Sequence, residues 1–221
     1  MAIGRGKLPS QTAALAGIPA GIQAVGPWAG RRQLFVKFAG EAETATMYTA
    51  EALKSELKRL AARSRYHSIA IAGRDPLAES EYIAAVFDGG APLPVMLDHD
   101  GQRPDVLQAI ISALAMVQIG MDGCENDAAV ERACTSLNAS AGKQVKHAIV
   151  ILPAEQASDA RLLQIVEQVH AASAETTIVL HPTMQSASAQ DRRWILWLER
   201  AAGMHEDVRL LAQLPGPTGM R

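Results

Sequence analysis

The stretch Lys146-His-Ala-Ile-Val-Ile-Leu152, followed by Ser158 to Ala172 and then by Thr177-Ile-Val-Leu180, decides the fold. The first part is an almost unbroken apolar run, the second an amphipathic segment of helical length, the third another short apolar run. A strand with one wet face alternates polar and apolar residues. A run without alternation reads as a parallel strand covered on both faces. Two such strands joined by a helix make a βαβ unit, and its crossover is right-handed.

Working outward, the same pattern repeats along the chain. Apolar runs predict further strands over Gln33 to Phe38, Ser68 to Ala72, Val95 to Leu97, Val117 to Met121 and Val208 to Ala212. Helices are predicted over Thr49 to Arg63, Leu77 to Phe87, Pro104 to Met116, Asp127 to Leu137 and Asp191 to Ala202. The first opens with Thr49 as N-cap and Glu51 in the first turn, where an acidic group suits the helix dipole. Its apolar positions Leu53, Leu57, Leu60 and Ala61 follow helical spacing. In Arg103-Pro104-Asp105 the proline fits a first helical turn, where its missing N–H costs nothing.

The expectation is an α/β fold of six to seven mostly parallel strands, either a doubly wound sheet or an incomplete (β/α) barrel with helices outside. In both, a ligand site lies at the C-terminal strand ends. The 221 residues suit one domain over residues 22 to 221. The Gly/Pro/Ala-rich segment from Met1 to about Gly21 reads as loose. The aromatic pairs Trp194/Trp197 and Tyr82/Phe87 fall on helices and read as core.

Composition narrows the function. Apolar residues at 48% exclude a disordered chain. The densest basic stretch (Lys54, Lys58, Arg59, Arg63 and Arg65) is mixed with Glu51 and Glu56, and net charge is −2. That is a solvated helix face rather than a nucleic-acid stripe. No apolar run reaches the roughly 20 residues of a membrane span. The apolar stretch Thr12 to Gly26 is interrupted by Pro19, so the expected location is the cytoplasm. The two cysteines, Cys124 and Cys134, make neither a metal motif nor a disulfide framework.

The strand ends carry the polar residues. Lys37 closes the first strand, Gly73 and Arg74 the second, Asp98, His99 and Asp100 the third, Asp122 the fourth, His181 the sixth and Gln213 the last. Asp98, His99, Asp100, Asp122 and His181 are ligand types for a divalent ion, but nothing fixes a metal-binding spacing, and no metal is expected. No Ser stands in a nucleophile elbow, and no catalytic residue is assigned. Acid–base chemistry by Asp100, His99 and His181 is the alternative, since an ordinary histidine titrates near 6.5.

These strand ends also carry a family resemblance. Gln23, Gly26, Gly30 and Phe38-Ala-Gly40 match the first turn and strand of the 7-carboxy-7-deazaguanine synthases, radical S-adenosylmethionine enzymes. Ile71-Ala-Gly-Arg-Asp-Pro-Leu77 resembles their Gly-Gly-Glu-Pro-Leu segment, which holds the methionine end of the cofactor. Pro94-Val-Met-Leu-Asp-His-Asp-Gly101 resembles their Leu-Glu-Thr-Asn-Gly strand. His181-Pro182 stands where the family has Gln-Pro, and Val208 to Arg221 resembles its closing segment. The resemblance implies an incomplete (β/α) barrel of the radical S-adenosylmethionine type, and a homodimer.

The departures define the expected function. Where the family places its three cluster cysteines, this chain has Glu41, Ala45 and Tyr48. None is a thiolate, so neither the iron–sulfur cluster nor S-adenosylmethionine cleavage is expected. Arg74 replaces the family's cofactor-binding Glu. The chain therefore reads as a pseudoenzyme that binds a small molecule or a partner protein, as a homodimer or in complex with a pathway enzyme. The candidate pocket comprises Gln23, Lys37, Gly73, Arg74, Asp98, His99, Asp100, Asp122, His181 and Gln213. Of these, Lys37, Arg74, Gln23 and Gln213 could recognise a carboxylate or the fused-ring amide of a pterin-like or purine-like ligand.

Overall fold

The computed structural model describes residues 11–182 and 192–212. The strands are β1 (Thr12–Gly17), β2 (Ala20–Ile22), β3 (Arg32–Phe38), β4 (Thr46–Thr49), β5 (Ser68–Gly73), β6 (Val95–His99), β7 (Met116–Met121), β8 (Lys146–Ile151), β9 (Thr177–Leu180) and β10 (Val208–Leu210). The helices are α1 (Ala50–Arg63), α2 (Ser80–Phe87), α3 (Pro104–Ile110), α4 (Asp127–Gly142), α5 (Asp159–Ala172) and α6 (Arg192–Ala202). Two 3-10 turns, Pro76–Glu79 and Ile111–Ala113, shorten the helices expected over Leu77 to Phe87 and Pro104 to Met116.

All the strands join one open mixed sheet in the order β10-β9-β8-β7-β6-β5-β3-β1-β4, with β2 paired to β3. From β3 to β10 every pairing is parallel and the strands follow chain order. The order never reverses, so the doubly wound alternative does not apply. Right-handed crossovers that all step the same way put their helices on one face. Consecutive helices, α1 against α2 and on through α5 against α6, pack side by side in that layer.

Three strands were not legible in the sequence. From Thr12 onward the segment read as loose forms β1 and β2, and β1 lies between β3 on one side and β4 on the other. Ala13 and Leu15 enter the main core. The run Thr12-Ala-Ala-Leu-Ala-Gly17 has weak intrinsic strand preference, and only its neighbours make it a strand. Residues 1–10 lie outside the described residues.

The sheet has two unlike faces. Toward the helices point Leu34, Val36, Ile69, Ile71, Leu97, Val117, Ile119, Ile149, Ile151, Ile178 and Leu180, all within the main core. Leu53 and Leu57 of α1 pack into it, as do Tyr82, Phe87, Trp194 and Trp197, so the helical aromatics are core residues as expected. Each such side chain contributes roughly 1.5–3 kcal/mol by leaving water. On the opposite face Ala70, Met96, Met116 and Ala148 form a smaller cluster with Trp28 and Phe35.

Candidate functional site

Strand period 2 sends alternate residues to the face opposite the helices. Lys37 pairs with Ala72, Asp98 with Gln118, Gln118 with Ala148, and Ala148 with Thr177. The result is a row of polar side chains at mid-height, separated by small alanines. The loop from Gln23 to Arg31 crosses this face. Gly26 comes so close that a Cβ there would lie 1.9 Å from Gln118 Oε1 and 3.0 Å from Val150 Cγ2. Its N–H donates to His181 Nε2 at 2.8 Å. The loop thus leaves one cavity at the C-terminal strand ends and another at the N-terminal ends.

The C-terminal cavity has a volume of about 300 Å³ and is lined by Ala72, Gly73, Asp98, Asp100, Gly120 and their neighbours. It exists because Ala72 and Gly120 bring no bulk; a Cβ on Gly120 would meet nothing within 4 Å. Its rim is held by close backbone approach. Gly73 has φ +109, and a Cβ there would lie 2.4 Å from the Phe38 carbonyl oxygen. Asp75 adopts the left-handed conformation and is tied by Arg103 at 2.6 Å.

Asp98 is the chemical centre of this cavity. Its side chain leaves β6 on the open face, half-buried, and Gln118 Nε2 donates to its Oδ1 at 3.2 Å. Burial pushes its pKa up to about 6, against the lowering effect of the Gln118 bond. A carboxylate at such a place is ionised at neutral pH yet poorly solvated, and it gains from any further N–H donor.

The other expected pocket residues divide sharply. His99 is buried, accepts the Gly101 N–H on Nδ1 at 3.1 Å, and is driven by burial to a pKa of about 4. It is a neutral wall residue at physiological pH. Asp100 accepts the Gln102 N–H at 3.0 Å and Asp122 the Cys124 N–H at 2.8 Å, so both stabilise their own turns. Gln23 is buried at the loop base, where its N–H donates to Arg31 and its carbonyl accepts from Gly30. His181 fastens the loop rather than lining the cavity. Gln213 lies outside the described residues.

Lys37 and Arg74 meet carboxylates from a single loop. Arg74 pairs with Glu41 at 3.1 Å, and Lys37 with Glu43 at 3.8 Å. Glu43 also accepts the Gly40 N–H at 2.9 Å. Glu41 and Ala45 are exposed on this loop, whereas Tyr48 belongs to β4, opposite Ala13 of β1. A carboxylate, a methyl and a phenol do not supply thiolate ligation, so these residues do not fit a four-iron cluster. Among the described residues no three His, Cys, Asp or Glu side chains gather as a metal-binding group. Partial burial and the Glu131 carboxylate hold the Cys134 thiol above its ordinary pKa, and slight desolvation with the Asp122 and Glu125 carboxylates does the same for the exposed Cys124, the opposite of an activated nucleophile.

No protein-family model matches the chain, and no curated protein does either. Function must therefore be argued from the site. Among the described residues no helix is long and apolar enough to cross a membrane. Two features of the site went unread in the sequence: Gln118 as the partner of Asp98, and the Gly26–His181 bond. The first had a signal, a lone amide inside the apolar run Met116-Val-Gln-Ile-Gly-Met121.

Proposed function

We propose that the chain is a cluster-free relative of the radical S-adenosylmethionine synthases, built on their incomplete (β/α) barrel, and that it works by binding a small planar molecule. Asp98 carries this reading. A half-buried carboxylate with one hydrogen bond among the described residues, facing an open cavity, costs stability unless a ligand supplies donors. Each carboxylate oxygen accepts up to two bonds, so room remains for a pair of adjacent N–H groups. The aminopyrimidinone edge of a pterin or a deazapurine presents such a pair.

The quoted sequence matches support the family relationship, and Glu41, Ala45 and Tyr48 support the loss of radical chemistry. In this reading the protein works in the cytoplasm as a homodimer or beside a pathway enzyme. Acid–base catalysis by Asp100, His99 and His181 draws less support, because each of the three already serves its local turn or loop.

Titration calorimetry with 7-deazaguanine, pterin and hypoxanthine tests the reading. The first two should bind, and hypoxanthine, which lacks the exocyclic amine, should bind at least about tenfold more weakly. Asp98→Asn should weaken the first two by a similar factor. Failure of both to bind, or equal binding by the variant, overturns the proposal. So does anaerobic reconstitution that yields four irons per chain.

A further inference from the structure

We infer that a second binding site lies at the opposite end of the sheet, beneath Trp28, and that it takes an α-amino acid with an apolar side chain. The cavity has a volume of about 440 Å³ and sits at the N-terminal ends of β7, β8 and β9. This is within the range of small-ligand sites. It is separate from the Asp98 cavity and shares none of its lining residues.

Its apolar part is preorganised. Trp28 and Pro27 form one wall and Met116 another. The Trp28 ring is braced edge-on by His67, with ring centroids 4.7 Å apart. Its loop is closed by backbone bonds from Gly30 to Gln23 and from Arg31 to Trp28, and is anchored at Gly26.

The charges select the ligand. Arg209 lines the cavity but is neutralised by Asp207, which takes its Nε at 2.7 Å and its Nη2 at 2.9 Å. Lys146 and Glu175 also line it, and neither has an ion pair or side-chain hydrogen bond among the described residues. Lys146 opens β8 two residues before Ala148, and Glu175 lies in the turn two residues before Thr177, the partner of Ala148, so both stand at the N-terminal ends of adjacent strands. One uncommitted cation and one uncommitted anion beside an apolar wall match a zwitterion: ammonium to Glu175, carboxylate to Lys146, side chain against Trp28.

Gln144 adds an independent sign. It stands at φ +57, just past the end of α4, where its N–H donates to Ala141 and the Val145 N–H to Ser140. Glycine is the favoured residue at such a helix end. The chain instead carries a side chain in a strained conformation, and that residue lines the cavity.

Calorimetry on the full chain tests the site with L-phenylalanine, 3-phenylpropionate and phenethylamine. L-Phenylalanine should bind saturably, and each half-ligand at least about tenfold more weakly. Lys146→Met and Glu175→Gln change exposed side chains and should keep the wild-type melting temperature while losing a similar factor in affinity. Asp98→Asn should leave phenylalanine binding unchanged, which separates this site from the first. No saturable binding of L-phenylalanine overturns the inference. So do equal binding of the half-ligands and unchanged affinity in both charge variants.

Discussion

His181 Nε2 accepts the backbone N–H of Gly26 at 2.8 Å and so joins positions 155 residues apart in the chain. An accepting Nε2 fixes the neutral tautomer with its proton on Nδ1. Burial lowers the pKa of this imidazole, and the nearby backbone of Leu211 and Ala212 opposes that shift less strongly. One histidine therefore ties the loop that divides the open face to the end of β9.

This bond makes stability pH-dependent. In the unfolded chain the imidazole titrates near 6.5, and in the folded chain lower. Between those values the unfolded state binds more protons, so stability falls as pH drops below about 6.5. Urea denaturation at pH 7.5 and 5.5 should show the loss, and His181→Gln should reduce it. Gly26→Ala should destabilise at every pH by at least about 1–3 kcal/mol, because the methyl meets Gln118 and the backbone sits at φ +82.

Asp98 predicts the opposite slope. Its folded pKa of about 6 lies above the ordinary 3.8, so the folded state binds more protons in that window. Stability from this group is present below pH 4 and lost as pH rises to 6. Asp98→Asn should therefore stabilise the protein at pH 7.5 by on the order of 1–3 kcal/mol and have almost no effect near pH 4. Chemical denaturation of both proteins at the two pH values measures it.

Gly73→Ala should cost about 2–4 kcal/mol, since the added Cβ would press on the Phe38 carbonyl and the backbone is at φ +109. The strain would pry apart the ends of β3 and β5, which pair there. Thermal melting gives the stability change, and 7-deazaguanine binding should weaken with it.

Thr49→Ala should cost about 1 kcal/mol, because the Thr49 hydroxyl oxygen accepts the Ala52 N–H at 3.1 Å and starts α1. Equilibrium unfolding should report the loss. Ligand binding should stay unchanged, since α1 packs on the face away from both cavities.

Much of this scaffold is legible in the sequence. Apolar runs of strand length cannot be left half-wet, and the segments between them carry caps and helical spacing, so β3 and β5 through β10 were foreseen along with their helices. Thr49 was readable as a cap because that signal is local. The strands β1 and β2 were not, because Ala and Gly leave strand formation to the neighbours that pair with them, and β4 was not, because its four residues run directly into α1.

The site divides along the same line. The sequence by itself determined that polar residues would collect at strand ends and that no thiolate stands at Glu41, Ala45 or Tyr48, since residue identity and short-range periodicity need no partner. Only the tertiary structure decided that Asp98 faces a cavity while His99 is sealed in a wall, that Arg74 meets Glu41, and that His181 serves Gly26. It alone brought Lys146, Glu175 and Trp28 to the lining of one cavity. Strand order and register bring these groups together from distant parts of the chain, and no local pattern encodes the distance between them.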